Sequence, residues 1–517
     1  VNLEAELALC VDLGTGGPKV ALITLDGEVV AHEVHHVATR YGDDGEATQD
    51  AEEWWALILS ASKRLLEATE GSSARVRAVA VTGQYASTVP VDAGGLPTGR
   101  CLTWLDTRGG RYSRPVIGGS FQGYNARKAL HFMRKTGGGP SPTGADPVGQ
   151  VLYLTHEEPD VVARTRWFME PVDYLTMRLS GVASATHASR LAMWMTDNRH
   201  LDRYEYDRHL ASLVGIDTAY LPPLLPFGSI VGAIAADVAL ILGLSSDTVV
   251  ITGVPDLHAA AIGSGATRLF ETHLALSTTS WISCPVPKKK TDITHSIASV
   301  PGLTNDSYVM INSQDTGAKA LEWLQGVLAG DGEVMSFEQM TELAATSPPG
   351  ANGVIFTPWL AGERSPVGNK RLRAGFTNLS VTTSSADVIR AVMEGVAANS
   401  AWLFSYVEKF TGQRLSPVRL LGGGAQSALW CQIYADTLGR DVVQVPEPLL
   451  AQLRGVALLS SVALKRRTLD DIASEGSGRT FHPSPTSKGH YVDHAQRLAS
   501  LYQRDKKWSK SRRQREN

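Results

Sequence analysis

Four short stretches of this 517-residue chain set chemistry-bearing side chains among residues small enough to let a ligand touch the backbone. The first is Asp12-Leu13-Gly14-Thr15-Gly16-Gly17-Pro18-Lys19. Its turn of small residues lets N–H groups approach a phosphate closely. Thr15 adds a hydroxyl, Lys19 a positive charge, and Asp12 could hold Mg²⁺ through water. It is not a Walker A loop, because no G-x-x-x-x-G-K-[ST] occurs; ordinary hairpin turns use the same residues. The second is Gly253-Val254-Pro255-Asp256-Leu257-His258, directly after an apolar run. An aspartate just past a strand's carboxyl end can take a proton from an attacking hydroxyl, or simply cap the next helix. His258 reads as a helix residue.

The third is Leu421-Gly422-Gly423-Gly424-Ala425-Gln426-Ser427. Three glycines are entropically costly in a turn, which favours close approach of a flat ring or a phosphate. The fourth pairs Gly83-Gln84-Tyr85 with Trp104-Leu105-Asp106-Thr107-Arg108. Amide, carboxylate and aromatic groups together suit a polyhydroxylated ligand. An exposed Asp106–Arg108 ion pair is the plainer reading and would contribute little.

The elements that must position these groups follow from periodicity. Strands are expected at Leu7 to Asp12, Lys19 to Leu25 and Glu28 to Val37, separated by Gly-rich turns. A helix is expected from Ala51 to Thr69, capped by Asp50, and a buried strand from Val76 to Thr82. The 137–149 stretch reads as a loop. Strands return at Thr248 to Gly253 and in a hairpin from Leu274 to Pro285 with Thr278-Thr279-Ser280 at its turn. The layout is α/β and its second half restarts like the first, placing a domain boundary near residue 247. Two domains also suit the chain's length.

Composition excludes several classes. Hydrophobic content of 43%, charged content of 20% and a net charge of −3 describe a globular chain with no global pull toward nucleic acid or anionic membrane. Cys10, Cys101, Cys284 and Cys431 are too scattered for a zinc site or disulfide framework. Val1 to Leu9 lacks the basic region of a secretory leader, and Ile230 to Leu244 is too short to span a membrane. The expectation is a cytoplasmic protein. Residues 506–517 read as a basic, disordered tail rather than a nucleic-acid contact.

In this order and spacing the four stretches resemble the FGGY carbohydrate kinase family, xylulokinase-like in detail, over roughly residues 7–505. Further matches are Gln49-Asp50 before Trp54-Trp55, Pro171-Val172-Asp173-Tyr174-Leu175 and Gly362-Glu363-Arg364-Ser365-Pro366. The resemblance implies two ribonuclease-H-like (actin/hexokinase/Hsp70-type) domains around a cleft, residues 1–247 and 248–505. It implies ATP and Mg²⁺, a sugar or polyol acceptor, and a homodimer by likeness alone. Asp256 matches the general base. Gly14, Thr15 and Lys19 match the first phosphate hairpin, with Asp12 toward the metal; Thr278 and Thr279 match the second. Gly317, Gly423, Gly424 and Ser427 fall in nucleotide segments. Gln84, Tyr85, Trp104, Asp106 and Trp281 fall in acceptor segments, with Asp256 facing the acceptor too.

The chain departs from the family at Tyr85-Ala86-Ser87, where xylulokinases usually have Met-His-Gly, and at Leu257, where a polar amide is usual. It also has Gly16-Gly17-Pro18 in place of hydroxyl-bearing residues, and Ser277 where glycine is usual. The acceptor therefore stays open among ketoses and polyols. The competing expectation is a catalytically weak or inactive sugar- or nucleotide-binding sensor of the same fold. A chaperone-type ATPase would need a separate peptide-binding domain, for which the sequence gives no sign.

Overall fold

The computed structural model describes residues 4–119, 124–330, 332–474 and 478–512. Leu7–Gly14 (β1) and Gly17–Thr24 (β2) form an antiparallel hairpin with Asp12 opposite Lys19 and Gly14 opposite Gly17. Its loop is thus only Thr15-Gly16. Gly17 has φ +131°, and a Cβ there would lie 2.3 Å from the His35 carbonyl oxygen, so the chain leaving Val29–Val34 (β3) admits only glycine. Helix Ala51–Ala68 (α1) is capped by Asp50, whose side chain accepts from the Glu52 N–H, and it buries Trp54, Ile58 and Leu65 against this sheet. Val76–Gly83 (β4) pairs parallel with β1. The loop expected over 137–149 closes early, because Asp146 accepts from the Gly149 N–H and starts helix Pro147–Glu157 (α2).

After helix Pro171–Ser180 (α3), the chain returns to the first sheet with Ile230–Ala233 (β5), Val249–Ile251 (β6) and Val254–Pro255 (β7). The strand order is β5-β6-β4-β1-β2-β3, and β7 pairs with the far end of β4. The boundary expected near residue 247 therefore cuts this sheet. The apolar run that suggested a new domain is its inner strand, hydrogen-bonded beside Ala78 and Val79. Helix Asp256–Gly263 (α4) follows at once.

The second half repeats the plan. Thr272–Leu276 (β8) and Ser280–Ser283 (β9) form an antiparallel hairpin. Helix Ser385–Thr411 (α5), strand Val418–Leu421 (β10), helix Ala428–Leu438 (α6), strand Val442–Gln444 (β11), helix Ala451–Ala463 (α7) and strand Arg479–Phe481 (β12) follow. The sheet order is β9-β8-β10-β11-β12, with β8 parallel to β10 as β1 is to β4. A separate core forms around α5, with Phe356, Val392 and Trp430. Helix Lys488–Arg512 (α8) runs through most of the segment expected to be disordered; only 513–517 of that tail lie outside the described residues.

Helices α4 and α7 join the halves. A Cβ on Gly263 would sit 1.8 Å from the Ala451 carbonyl oxygen, and one on Gly455 1.9 Å from that of Ala259. The two helices thus meet backbone to backbone. Helix α7 also packs on β1, β2 and β4, so a helix from the second half closes the core of the first. The four cysteines are buried and free. Among the described residues, no helix is long and apolar enough to cross a membrane.

Candidate active site

Strand register alone brings two carboxylates together. Asp12 on β1 aligns with Thr82 on β4, which aligns with Val254 on β7. Asp256 follows two residues later as the first residue of α4. Two strand spacings separate the rows, roughly 10 Å of backbone, and the Asp12 charge still acts on Asp256. Asp256 is not the helix cap; that position is Pro255, and the Asp256 Oδ1 accepts only the Leu257 N–H, at 2.7 Å. Burial and then the neighbouring Asp12 charge push its carboxyl up to about 7, against the weaker pull of Lys19. A carboxylate held near neutrality at a strand end is suited to accept a proton.

Lys19, opposite Asp12 in the hairpin, donates from Nζ to Asp12 Oδ2 at 2.8 Å. The Asp12 carboxylate first, and Asp256 more weakly, hold the ammonium in its charged form. The lysine charge expected to face a phosphate thus also balances the acid pair. Gly14 and Gly16 leave open space at the turn, since a Cβ at either meets no atom closer than 3.7 Å.

Thr15 does something its sequence context did not announce. Its hydroxyl donates to Gln84 Oε1 at 3.1 Å and accepts from the Trp104 indole at 3.0 Å. The Gln49 amide adds a bond to the Thr15 carbonyl at 2.7 Å. The structure therefore brings Thr15, Gln84 and Trp104 into one polar cluster, tying the first hairpin to both acceptor segments. Tyr85 stands close enough to Asp256, Arg364 and Glu170 for their charges to act on its hydroxyl, which burial pushes up to about 12. Asp106 is fully buried. It accepts from Ala47 N–H at 3.1 Å and pairs with Arg108 through Nη2 to Oδ2 at 2.7 Å and Nε to Oδ1 at 3.2 Å. The Asp106–Arg108 pair exists as the plainer reading expected, but buried and bidentate rather than loose at a loop edge.

Across the interface, Trp281 on β9 packs against the cores on both sides of α4, and its buried indole N–H has no protein partner. Thr278 is exposed at the tip of the second hairpin and Thr279 half-buried beside it. Gly317 serves this hairpin: its N–H donates to Thr278 O at 2.9 Å, and Ala318 N–H to Ser277 O at 2.6 Å. A Cβ on Gly317 would lie 2.4 Å from Thr279 O, so this glycine touches the hairpin backbone itself.

The triple glycine divides by position. Gly422 has φ +92° and Gly424 presses on Leu276, whose side chain would be 2.5 Å from an added Cβ. Gly423 alone faces open space, with its nearest atom at 4.0 Å. Ser427 caps α6 by accepting from the Trp430 N–H at 3.2 Å. His258 is a buried helix residue, as expected, bonded to Pro301 O at 2.8 Å.

Sequence reasoning missed Glu170, Gln150 and Arg190, which lie beneath the acceptor segments. Glu170 immediately precedes the Pro171-Val172-Asp173 stretch, a signal that was legible; nothing local marked Gln150 or Arg190. Among the described residues, no cluster of three or more His, Cys, Asp or Glu side chains is placed to hold a metal ion.

The chain is similar to known proteins over most of its length. Residues 7–263 match the FGGY family of carbohydrate kinases, N-terminal domain, and residues 271–464 its C-terminal domain. The chain is 29% identical over 433 residues to a xylulose kinase of Staphylococcus epidermidis, covering 83% of each. It is 23% identical over 487 residues to a gluconokinase of Bacillus subtilis (strain 168), covering 92% of this chain and 91% of that one. A solved xylulose kinase from Rhodospirillum rubrum superposes with a TM-score of 0.82 at 23% identity, over 98% of this chain and all of that one, which fixes the fold.

Proposed function

The chain belongs to the FGGY family of carbohydrate kinases, and from that premise we propose that it transfers the γ-phosphoryl group of ATP to a hydroxyl of a ketose, polyol or related sugar acid, with Asp256 as general base. It is a sugar kinase with the two-domain α/β fold of the ribonuclease-H-like type. The observation that carries the finer reading is Asp256 itself. It is an acid at the end of a sheet strand, held up to about 7 by burial and by Asp12.

In this reading Asp256 takes the acceptor proton as the hydroxyl attacks in line. Gln84, Tyr85, Trp104 and Trp281 wall the acceptor, and Asp106 with Arg108 fixes the 104–108 turn. Backbone N–H groups of Gly14 and Thr15, with Lys19, face the phosphates from one side, and Thr278 and Thr279 from the other. Gly317 seats the second hairpin. Gly423 offers a flat surface to adenosine beside Gly424 and the Ser427 cap.

The residues fit a magnesium ion that arrives with the nucleotide. Mg²⁺ is typically held by one or two carboxylates plus phosphate oxygens rather than by a full protein cage. Asp12 would supply one carboxylate, leaving Asp256 to act as the base. When bound, the ion would neutralise charge on the transferring phosphoryl group. With family models ending at 263 and restarting at 271, we place the domain boundary after α4 rather than at 247.

The test is an ADP-release assay with ATP and Mg²⁺ over a panel of ketoses, polyols and aldonates. Turnover of any member supports the reading. Thermal stabilisation by a sugar with no turnover of any would replace it with the sensor reading.

A further inference from the structure

Below the two acceptor segments lies a buried cluster of two acids and an arginine that the phosphoryl-transfer reading does not use. Glu170, the residue before α3, is fully buried. Its Oε2 accepts the Ser87 N–H at 3.1 Å, and the Ala86 backbone lies beside the same carboxylate. Ala86 has φ +64°, a conformation that a residue with a Cβ rarely adopts and that persists only when its surroundings enforce it. Gln150 on α2 holds the other side, donating to Ala86 O at 3.1 Å and to Thr103 O at 2.9 Å. Ser87 Oγ then accepts the Trp104 N–H at 3.0 Å. The 84–87 and 103–106 turns are thereby locked together at the backbone.

Further down, Ser189 donates to Asp173 Oδ2 at 2.9 Å, and the buried Arg190 lies near both Glu170 and Asp173; burial pushes their carboxyls up to about 8 and about 7, and the Arg190 charge offsets this only in part. Two acids and one arginine in a dry interior are costly to desolvate, and apolar residues of equal volume would commonly be as stable or more so. Such a cluster is poor value as a stabiliser. Its direct bonds lead instead to the loop that carries Tyr85 and, through Ser87, to Trp104.

We propose that Glu170 is a positioning residue that sets the affinity of the acceptor site by clamping the Ser87 amide beside the strained Ala86, without acting on the nucleotide side. The inference rests on the sugar-kinase reading above and deepens it. Glu170 touches no reacting atom; it fixes where Tyr85 and Trp104 stand.

The experiment measures acceptor KM, ATP KM and kcat for the wild-type chain and for Glu170→Ala, Glu170→Gln and Ser87→Ala, using the best acceptor of the panel. Glu170→Ala is expected to raise acceptor KM about 10- to 100-fold while ATP KM stays within about twofold, the signature of lost ground-state binding on one side only. Glu170→Gln keeps a carbonyl oxygen for the Ser87 amide and is expected to return acceptor KM to within about threefold of wild type. Ser87→Ala frees Trp104 and is expected to raise acceptor KM several-fold. An unchanged acceptor KM in folded Glu170→Ala overturns the inference, and so does a parallel rise in both KM values. If Glu170→Ala does not fold, Ser87→Ala decides by the same two criteria. A wild-type chain that turns over no acceptor refutes the kinase reading and this inference with it; an active wild type with unmoved variants refutes this inference alone.

Discussion

Replacing Asp256 by asparagine should lower activity and raise stability at once. The substitution keeps the shape and the oxygen that accepts the Leu257 N–H, but it removes the base. Loss of a positioned general base costs about 10²- to 10⁴-fold in kcat, or roughly 3–5 kcal/mol of barrier. The stability effect follows from the same burial. The Asp256 carboxyl rises from its ordinary 3.8 to about 7 in the folded chain. Raised acids favour the protonated form in the fold, so wild type loses stability as pH climbs from about 4 to about 7, and no further above that. At about 1.4 kcal/mol per tenfold the full difference is about 4 kcal/mol. The side chain keeps some solvent contact, so about 2 kcal/mol is the working figure. Asparagine escapes this loss. The variant should therefore melt with wild type near pH 4 and above it at pH 8, while a coupled ADP assay at pH 8 shows the activity gone. Full activity would refute the base. Lost activity together with a lower melting point at pH 8 would show instead that Asp256 supports the fold.

Other consequences are equally direct. In wild type, kcat/KM should rise with pH through about 7 and then level, because the base works only when deprotonated; a flat profile from pH 5.5 to 8 would contradict this. Gly317→Ala drives a methyl into the Ser277 and Thr279 carbonyls, so ATP KM should rise about tenfold or more with acceptor KM little changed, read by steady-state kinetics. Thr15→Val strips the bonds to Gln84 and Trp104 and leaves both without their partner; roughly 1–3 kcal/mol of stability should go, by denaturant titration, and acceptor KM should rise. Gly455→Ala opposes the backbone contact of α4 with α7 and should cost several kcal/mol, seen as a lower melting point, even though alanine is the better helix former.

Much of this protein is written locally in its sequence. Period-two apolar runs with Gly turns between them located the first hairpin, the Val76 strand and the second hairpin, because strand alternation and turn chemistry are local. The order Asp12, Asp256, Gly422-Gly423-Gly424 likewise survives in one dimension, and it points to a carbohydrate kinase family to which the chain indeed belongs.

What only the tertiary structure decided concerns partners. Val249–Ile251 looked like a fresh domain's first strand, yet it pairs beside Val79 in the first sheet, since an apolar run says that a strand is buried but not against what. The 506–517 tail read as disordered, yet its residues through Arg512 continue helix Lys488–Arg512, whose earlier turns bury Tyr491, Leu498 and Tyr502. Thr15 read as a phosphate contact and also proved to be the tie to Gln84 and Trp104, 69 and 89 positions away. Glu170 shows the same limit: its meaning lies in an amide 83 positions earlier in the chain. Residue type and spacing fix which groups can do chemistry, because those are covalent facts. Which groups meet is settled by sheet register and helix packing, which bring distant segments into contact that no local pattern encodes.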